Sequence, residues 1–511
     1  TLTAGIRAEI PMFTNDLTAN PVVDQLNLLN TDGQVTNYAS GKWPKTRVMV
    51  SPRVGFRWDA QGDKSLIVRG GTGLFAGRVP FVWLTNQPSN TGAIQNQIEP
   101  GSYAASAPWI GNIRFNPDKL YWLNNVPAGG GSTFITSPGN GVPSSLALVD
   151  PNFKMPQIYR ANIGADKKIG NTPLTVVADV MYTKDLQGVY QFGANRKEAT
   201  QQMYDGRPYF ANAAAYTYNS LLGGNAGSVL SNTTMGDSFN ASIGVTLDRF
   251  KGFSGSLFYS HTAARTTTDN SGSNASSAWG ATHNNGSPND IFLASAVDAL
   301  PHRVVGSLAY EFGGKYRKTT LSLYYTGSHQ GRYSFVYNGD VNGDGITGDL
   351  LYIPNNASEV NFVPVTGSTP FTVDQQRAAF NQLLDGVSYL NKNRGKIADR
   401  NAALMPWYNR FDFRILQDVF TNIGKTKNAV QFSFDFVNFG NFINSNWGVR
   451  KQFVQNASSP LSVVTRGTNP TFRMNTATID GKTVLPTEMF QDLRTVGTTW
   501  TMQFGIRYLF N

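Results

Sequence analysis

Residues 340–349 combine acidic, amide and glycine residues in a spacing suited to binding a metal ion. Acidic or amide side chains at the first, third and fifth positions, followed by glycine at the sixth, match the start of an EF-hand-type calcium loop. The expected ligands are oxygen atoms of Asp340, Asn342, Asp344, Ile346 and Asp349. Asp349 would close a shortened loop, because Leu351 stands where an EF-hand has glutamate. The sequence therefore predicts a Ca²⁺ site; the alternative is a turn held by side-chain-to-backbone hydrogen bonds alone.

No other pattern indicates a catalytic or metal centre. The four histidines, His261, His283, His302 and His329, are far apart in sequence and lack the spacing of a metal-binding helix. The sequence has no cysteine and no Gly-x-Ser-x-Gly nucleophile motif. We therefore expect no enzymatic activity. The net charge of +10 comes from scattered Lys and Arg residues, so we also expect no nucleic-acid binding.

The composition favours a protein that crosses a membrane with strands. Aromatic residues make up 12% of the chain and charged residues only 15%, compared with about 25% charged residues in soluble domains. No apolar run approaches the roughly 18 residues of a membrane helix. A β-barrel is the other structure that satisfies every backbone polar group in lipid. The predicted fold is an all-β, transmembrane antiparallel β-barrel.

Twelve segments alternate between apolar and polar residues over lengths suited to tilted membrane strands. In the last segment, Trp500, Phe504 and Tyr508 fall on one face, and Gln503 and Arg507 fall on the other. The first segment already begins at Thr1, which predicts that the chain is part of a longer protein. The predicted strands are 1–10, 47–59, 64–76, 156–168, 172–183, 237–249, 253–264, 300–312, 317–335, 406–418, 428–439 and 498–510.

The connections between these strands alternate strictly between short and long. The long ones are 11–46, 77–155, 184–236, 265–299, 336–405 and 440–497. Loops of this length are uncommon in compact soluble domains. They are typical of barrels with short periplasmic turns and long extracellular loops. A helix is predicted at 374–390, with Asp374 as its N-cap, and residues 1–511 are expected to form one unit.

Charged residues within the strands fall on the polar face. A charge facing lipid costs about 2–4 kcal/mol at the membrane midplane. We therefore expect these side chains to point into the lumen, where they would meet a plug domain or a substrate. They are Arg69, Arg160, Asp179, Arg303, Arg410, Asp412 and Arg414.

Seven stretches carry a family resemblance: SPRVGF at 51–56, WD at 58–59, RGGTGLF at 69–75, GRVPFVW at 77–83, DVNGDG at 340–345, RNAALMPW at 400–407 and FGIRY at 504–508. Together they resemble the C-terminal half of Oar-like TonB-dependent outer-membrane receptors of Bacteroidetes type. The resemblance implies a barrel of about 22 strands closed by an N-terminal plug. The twelve strands found here would be the last twelve of that barrel, without the plug and the TonB-contacting segment.

The resemblance also implies a function and a location. The protein would be a TonB-dependent transporter of the bacterial outer membrane that imports a ligand captured by extracellular loops. Its partners would be outer-membrane lipid, the plug and remaining strands of the same receptor, and the TonB complex through the missing N-terminal part. A plugged surface scaffold or adhesin and a passive porin remain alternatives. The ligand is not identified, because loop aromatics suit sugars, peptides and siderophores alike.

Overall fold

Twelve long strands build the main sheet of the protein. The computed structural model describes residues 1–93, 115–118, 121, 141–143, 145–270, 272–314, 317–423 and 426–510. The strands in this part of the chain are β1 (Leu2–Glu9), β2 (Met49–Asp59), β3 (Leu66–Ala76), β4 (Gln157–Lys168), β5 (Leu174–Gly193), β6 (Asp237–Phe250), β7 (Phe253–Thr266), β8 (His302–Gly314), β9 (Arg317–His329), β10 (Trp407–Ile423), β11 (Thr426–Val437) and β12 (Thr501–Phe510).

Each strand pairs antiparallel with the next one along the chain, so the sheet is an up-and-down meander. This confirms the predicted all-β antiparallel class and all twelve predicted strands. Within the described residues, β1 and β12 each pair on one side only and form the two edges of the sheet. The twelve strands therefore form one continuous sheet, which we call the wall.

Two strand ends differ clearly from the prediction. β5 continues to Gly193 instead of ending near 183, because its outer half pairs with the short strand Ser228–Thr233. β9 ends at His329 rather than at 335, because Arg332 and Tyr333 pair with Ala403 and Leu404 instead of with β10. In both cases, strand pairing that involves loop residues determines where the long strand ends. The alternation of apolar and polar residues within one segment does not reveal such pairing.

The register places apolar side chains next to each other on one face of the sheet. Paired residues of adjacent strands share a face, so the pairing partners form rows that run across the sheet. One such row crosses six strands and is formed by Phe253, Tyr310, Leu321, Ile415, Phe434 and Phe504. We call this the apolar face. It leaves large side chains exposed, including Leu308 at 48% and Phe504 at 78%.

The described parts of the long connections fold into a layer at one end of the sheet. They are loop 1 (10–48), loop 2 (77–156), loop 3 (194–236), loop 4 (267–301), loop 5 (330–406) and loop 6 (438–500). Their described helices are α1 (Pro21–Asp24), α2 (Phe81–Ser89), α3 (Ala213–Tyr216), α4 (Ala275–Gly280), α5 (Val373–Gly386), α6 (Ser388–Lys392) and α7 (Phe439–Ile443), with 3₁₀ turns at Ser220–Leu222 and Ala357–Glu359. Among the described residues, no helix is both long enough and apolar enough to span a bilayer.

Short strands in the loops pair mostly within a single loop, and two of the pairings join loop 2 to loop 3 and loop 5 to loop 6. They are Leu28–Leu29, Val35–Thr36, Ala147–Val149, Gln201–Gln202, Pro208–Tyr209, Ser228–Thr233, Ala294–Ser295, Arg332–Tyr333, Tyr337–Asn338, Tyr352–Ile353, Lys396–Ile397, Ala403–Leu404, Arg450–Phe453, Leu461–Thr465, Thr471–Met474, Ala477–Ile479, Lys482–Val484 and Phe490–Leu493. The largest buried apolar cluster lies mainly in loops 5 and 6, around Phe335, Phe380 and Leu383, which are fully buried. The loop layer therefore has a hydrophobic core of its own.

The predicted helix in loop 5 is present, but its N-cap is not Asp374. The helix divides into α5 and α6, and Thr372 is the cap of α5. The Thr372 hydroxyl accepts a hydrogen bond from the Gln375 backbone N–H at 3.2 Å, and the Gln375 side chain accepts one from Thr372 N–H at 2.8 Å. This reciprocal capping box requires an extended residue before the first turn, whereas Asp374 already lies inside that turn.

Candidate functional site

A polar row crosses the sheet on the face opposite the apolar one. Its paired residues are Arg57, Arg69, Gly164, Asp179, Ser242, Ser260, Arg303 and Ser328. The side-chain alternation of each strand places Arg160, Arg410, Asp412 and Arg414 on this same face. All seven charged residues predicted to point inward therefore lie on one side of the sheet, which we call the polar face.

Arg69 is the centre of an ion-pair cluster on the polar face. Its guanidinium donates to both oxygens of Asp179, at 2.5 and 2.9 Å, and to Asp166 Oδ1 at 3.1 Å. Asp179 lies two strands away, beyond Gly164, in the same row. A Cβ atom at Gly164 would clash with Asp179 Oδ1 and lie 2.8 Å from Arg69 Nη1. Because Gly164 has no side chain, the Arg69 guanidinium has the space it needs to contact both carboxylates.

The other predicted lumen residues are not part of this cluster. Arg410 pairs with Asp412 at 2.6 Å and Arg414 pairs with Asp435 at 2.9 Å, both beside the edge of loop 6. Arg160 donates to the Thr183 hydroxyl at 3.2 Å. Arg303 is exposed and makes no ion pair among the described residues. Most of these charges are already paired within the wall, and Arg303 is available to a further group.

The 340–349 segment forms a tight, buried turn in loop 5. The Asp340 carboxylate accepts hydrogen bonds from Gly343 N–H at 2.7 Å and from Gly345 N–H at 3.0 Å. Asn342 Oδ1 accepts from Asp344 N–H, and Asp344 Oδ1 accepts from Ile346 N–H at 2.8 Å. Gly343 and Gly345 have φ angles of 82° and 84°, which favour glycine. Ile346 presents its backbone carbonyl at the seventh position of this turn.

The predicted ligands include two buried carboxylates. Among the described residues, no three acidic or histidine side chains form a cluster that could hold a metal ion. Asp344 and Asp349 are buried, with 3% and 1% of their surface exposed. Burial is the main cause that raises the pKa of Asp344 to about 8, and the charge of nearby Asp349 is the second. Burial also raises the pKa of Asp349 to about 7, although Arg207 opposes the shift.

A cavity in the loop layer was not foreseen from the sequence. It has a volume of about 700 Å³ and lies between loops 5 and 6. Tyr333, Tyr389 and Phe490 supply aromatic surface, and Lys392 and Glu488 supply opposite charges. Aromatic walls with a few polar groups are typical of small-molecule sites. In the sequence, only the aromatic residues of the loops pointed to such a site. The residues that line the cavity lie up to 161 positions apart, so no local pattern groups them.

The structure also brings together two histidines that are distant in sequence. His261 and His302 are paired between β7 and β8, and their ring centroids are 5.1 Å apart. Tyr259 shares a hydrogen bond with His302 Nδ1 at 2.7 Å. Sequence spacing did not reveal this pair, because strand register determines which residues of adjacent strands meet.

Comparisons with known proteins find similarity only among solved structures. No protein-family model and no curated protein matches the chain. The copper transporter OprC is 8% identical with a TM-score of 0.34, covering 86% of this chain and 40% of that chain. The outer membrane transporter YddB from Escherichia coli is 8% identical with a TM-score of 0.39, covering 90% and 41%. The FrpB iron transporter from Neisseria meningitidis is 6% identical with a TM-score of 0.28, covering 76% and 38%. The chain thus spans about 40% of the length of these proteins.

Proposed function

We propose that this chain is the C-terminal part of the barrel of a TonB-dependent transporter in the bacterial outer membrane. The observation that carries the proposal is the division of the sheet into an apolar face and a polar face. The apolar row from Phe253 to Phe504 suits lipid, and the charged row through Arg69 and Arg303 suits a wet lumen. A soluble sheet with this much exposed aromatic surface would aggregate.

The sheet edges support the proposal that further strands complete the barrel. Leu2 and Ile6 on β1 are 75% and 77% exposed, and Ile506 on β12 is 76% exposed. Unpaired backbone N–H and C=O groups are not tolerated in hydrocarbon, so both edges require partners in a membrane. The remaining strands of the same receptor would supply them, and a plug of that receptor would lie against the polar face.

The loop layer supports ligand capture on the outer side. The cavity between loops 5 and 6 combines aromatic rings with Lys392 and Glu488, so it suits a ligand with both apolar and polar groups. The ligand would bind there first, and movement of the plug, driven by the TonB complex, would then admit it to the lumen.

The Oar-like, Bacteroidetes-type assignment rests on the sequence stretches alone. The most specific of these, between 51 and 83, form most of β2 and β3 and the first turn of α2. They lie next to the N-terminal edge of the sheet, where the wall would join the missing strands. This subtype remains part of the proposal.

Uptake by intact cells tests the proposed function. Cells with and without the full receptor gene would be given iron–siderophore complexes, oligosaccharides and short peptides, each in the presence and absence of TonB. We expect one class to be taken up only when both the receptor and TonB are present. Uptake that persists without TonB would instead identify a passive porin. Surface retention without uptake would identify a scaffold or adhesin.

A further inference from the structure

The 340–349 turn lies where three long loops meet. From loop 3, Phe210 N–H donates to the Asn342 carbonyl at 2.7 Å. From loop 4, the Gly286 carbonyl accepts from the Asn342 side chain, and the Asn284 carbonyl accepts from Leu350 N–H at 2.8 Å. There is no room for a side chain at Gly343, where a Cβ would clash with the Phe210 carbonyl. Loop 5 is thus clamped between loops 3 and 4 at this turn.

Two carboxylate oxygens in this junction are buried and have no partner. Asp344 Oδ2 and Asp349 Oδ1 are inaccessible to solvent and make no hydrogen bond. The second oxygen of each group is occupied, because Asp344 Oδ1 accepts from Ile346 N–H and Asp349 Oδ2 accepts from Val341 N–H at 2.9 Å. Buried carboxylate oxygens without a donor or a cation are costly, so both point to a missing partner.

Among the described residues, no cation forms an ion pair with either oxygen, although Arg207 Nη1 is itself buried without a hydrogen-bond partner. Arg207 pairs with Asp205 at 2.7 Å, and both side chains are fully buried. Arg196 lies 4.1 Å from the centre of the Tyr216 ring and donates to the Asp344 backbone carbonyl rather than to its carboxylate. Arg466 pairs with Asp340 at 3.4 Å. His283 meets the Gly348 carbonyl, and burial lowers its pKa.

We propose that one divalent cation, calcium, binds at this junction through Asp344 Oδ2 and Asp349 Oδ1 and locks loops 3, 4 and 5 together. Two carboxylates, together with amide and carbonyl oxygens, form the kind of donor set that calcium prefers. The side chain of Asn342 and the carbonyl of Ile346, at the third and seventh positions of the turn, are the further oxygen donors that the turn would supply. The cation neutralises two buried charges and thereby stabilises the outer loop layer. This role is independent of the transported ligand.

Calorimetry on the complete receptor in detergent micelles tests the proposal, with CaCl₂ titrated after EDTA treatment. We expect one Ca²⁺ to bind per chain, and loops 3 to 5 to resist protease in calcium but not in EDTA. The double variant D344N/D349N should bind calcium at least about tenfold more weakly, since two ligand carboxylates are lost. Its loop layer should be no less protease-resistant in EDTA than that of the unmodified protein, because the amides carry no buried charge.

The control is D374N, which removes a carboxylate that is 93% exposed in the same loop. It should leave both calcium binding and protease resistance unchanged. Absence of any calcium binding at millimolar concentration would overturn the proposal. Unchanged calcium binding in D344N/D349N would also overturn it, because the ion would then lie elsewhere. Neither result depends on uptake, so the test is separate from that of the transport function.

Discussion

Gly164 shows how a residue without a side chain can organise a charged site. It lies between Arg69 and Asp179 in the polar row, and its missing Cβ leaves space for the guanidinium to pass. Arg69 thereby holds the carboxylates of Asp166 and Asp179 together. A partly buried arginine that pairs with two carboxylates keeps them from repelling each other on the wall.

Replacement of this glycine should break the cluster. Gly164→Ala forces its Cβ against Asp179 Oδ1, so either the arginine or the carboxylate must move. We expect a loss of about 1–3 kcal/mol in the free energy of unfolding, the usual cost of overpacking. Urea titration of the protein in lipid vesicles, followed by tryptophan fluorescence, would measure it. Gly5→Ala is the matched control, because Gly5 lies on the same face with nothing within 4 Å of its Cβ. Equal destabilisation by both substitutions would contradict the role given to Gly164.

At the scale of the strand, alternation decides which environment each side chain meets. Leu308 and Ser307 are neighbours on β8, yet Leu308 lies on the apolar face and Ser307 on the polar face, where its hydroxyl is 3.0 Å from that of Ser256. In the proposed barrel, their depth in the membrane would be nearly the same. Substitutions at these two positions therefore compare the apolar face with the polar face at nearly the same position along the strand.

Arginine at these two positions should have unequal effects. Leu308→Arg would place a charge in lipid near the middle of the strand, at a cost of about 2–4 kcal/mol. Ser307→Arg would place the same charge in the lumen and should be far less destabilising. The measurement is the amount of folded, heat-modifiable protein in outer-membrane fractions, together with unfolding in vesicles. If both variants assembled equally well, the apolar face would not be facing lipid.

Across the whole molecule, apolar residues serve two different purposes. Those of the sheet lie on its exposed face, whereas those of loops 5 and 6 form a buried core around Phe335, Phe380 and Leu383. The loop layer can therefore lose its packing while the wall keeps its strand pairing. Regions with separate cores commonly unfold with separate free energies.

A cavity in the loop core should loosen the loops and leave the wall intact. Leu383 on α5 is fully buried, so Leu383→Ala should destabilise the loop layer by about 2–5 kcal/mol. Leu221, in the 3₁₀ turn of loop 3, is 70% exposed, so Leu221→Ala should change the stability of the loop layer by less than about 0.5 kcal/mol. Proteolysis of loop 5 at increasing urea would report the loop layer, and heat-modifiable migration would report the wall. Simultaneous loss of both signals in Leu383→Ala would contradict separate cores.

The sequence was sufficient for the strands, their order and their faces. Alternation with a period of two is a local property, and a meander joined by short turns pairs each strand with the next one along the chain. The seven charged residues could be placed on one face for the same reason. The helix in loop 5 was also recognisable, although its cap was misplaced by two residues, at Asp374 instead of Thr372.

The contacts between distant segments depended on the tertiary structure. Arg69 meets a carboxylate 110 residues away, and the 340–349 turn meets loops 3 and 4 at Phe210 and Gly286. The long loops are rich in polar residues, yet their large apolar residues collect into three buried clusters, the largest of them in loops 5 and 6. Such contacts arise from sheet register and from packing between loops, and neither leaves a periodic pattern in a single segment of sequence.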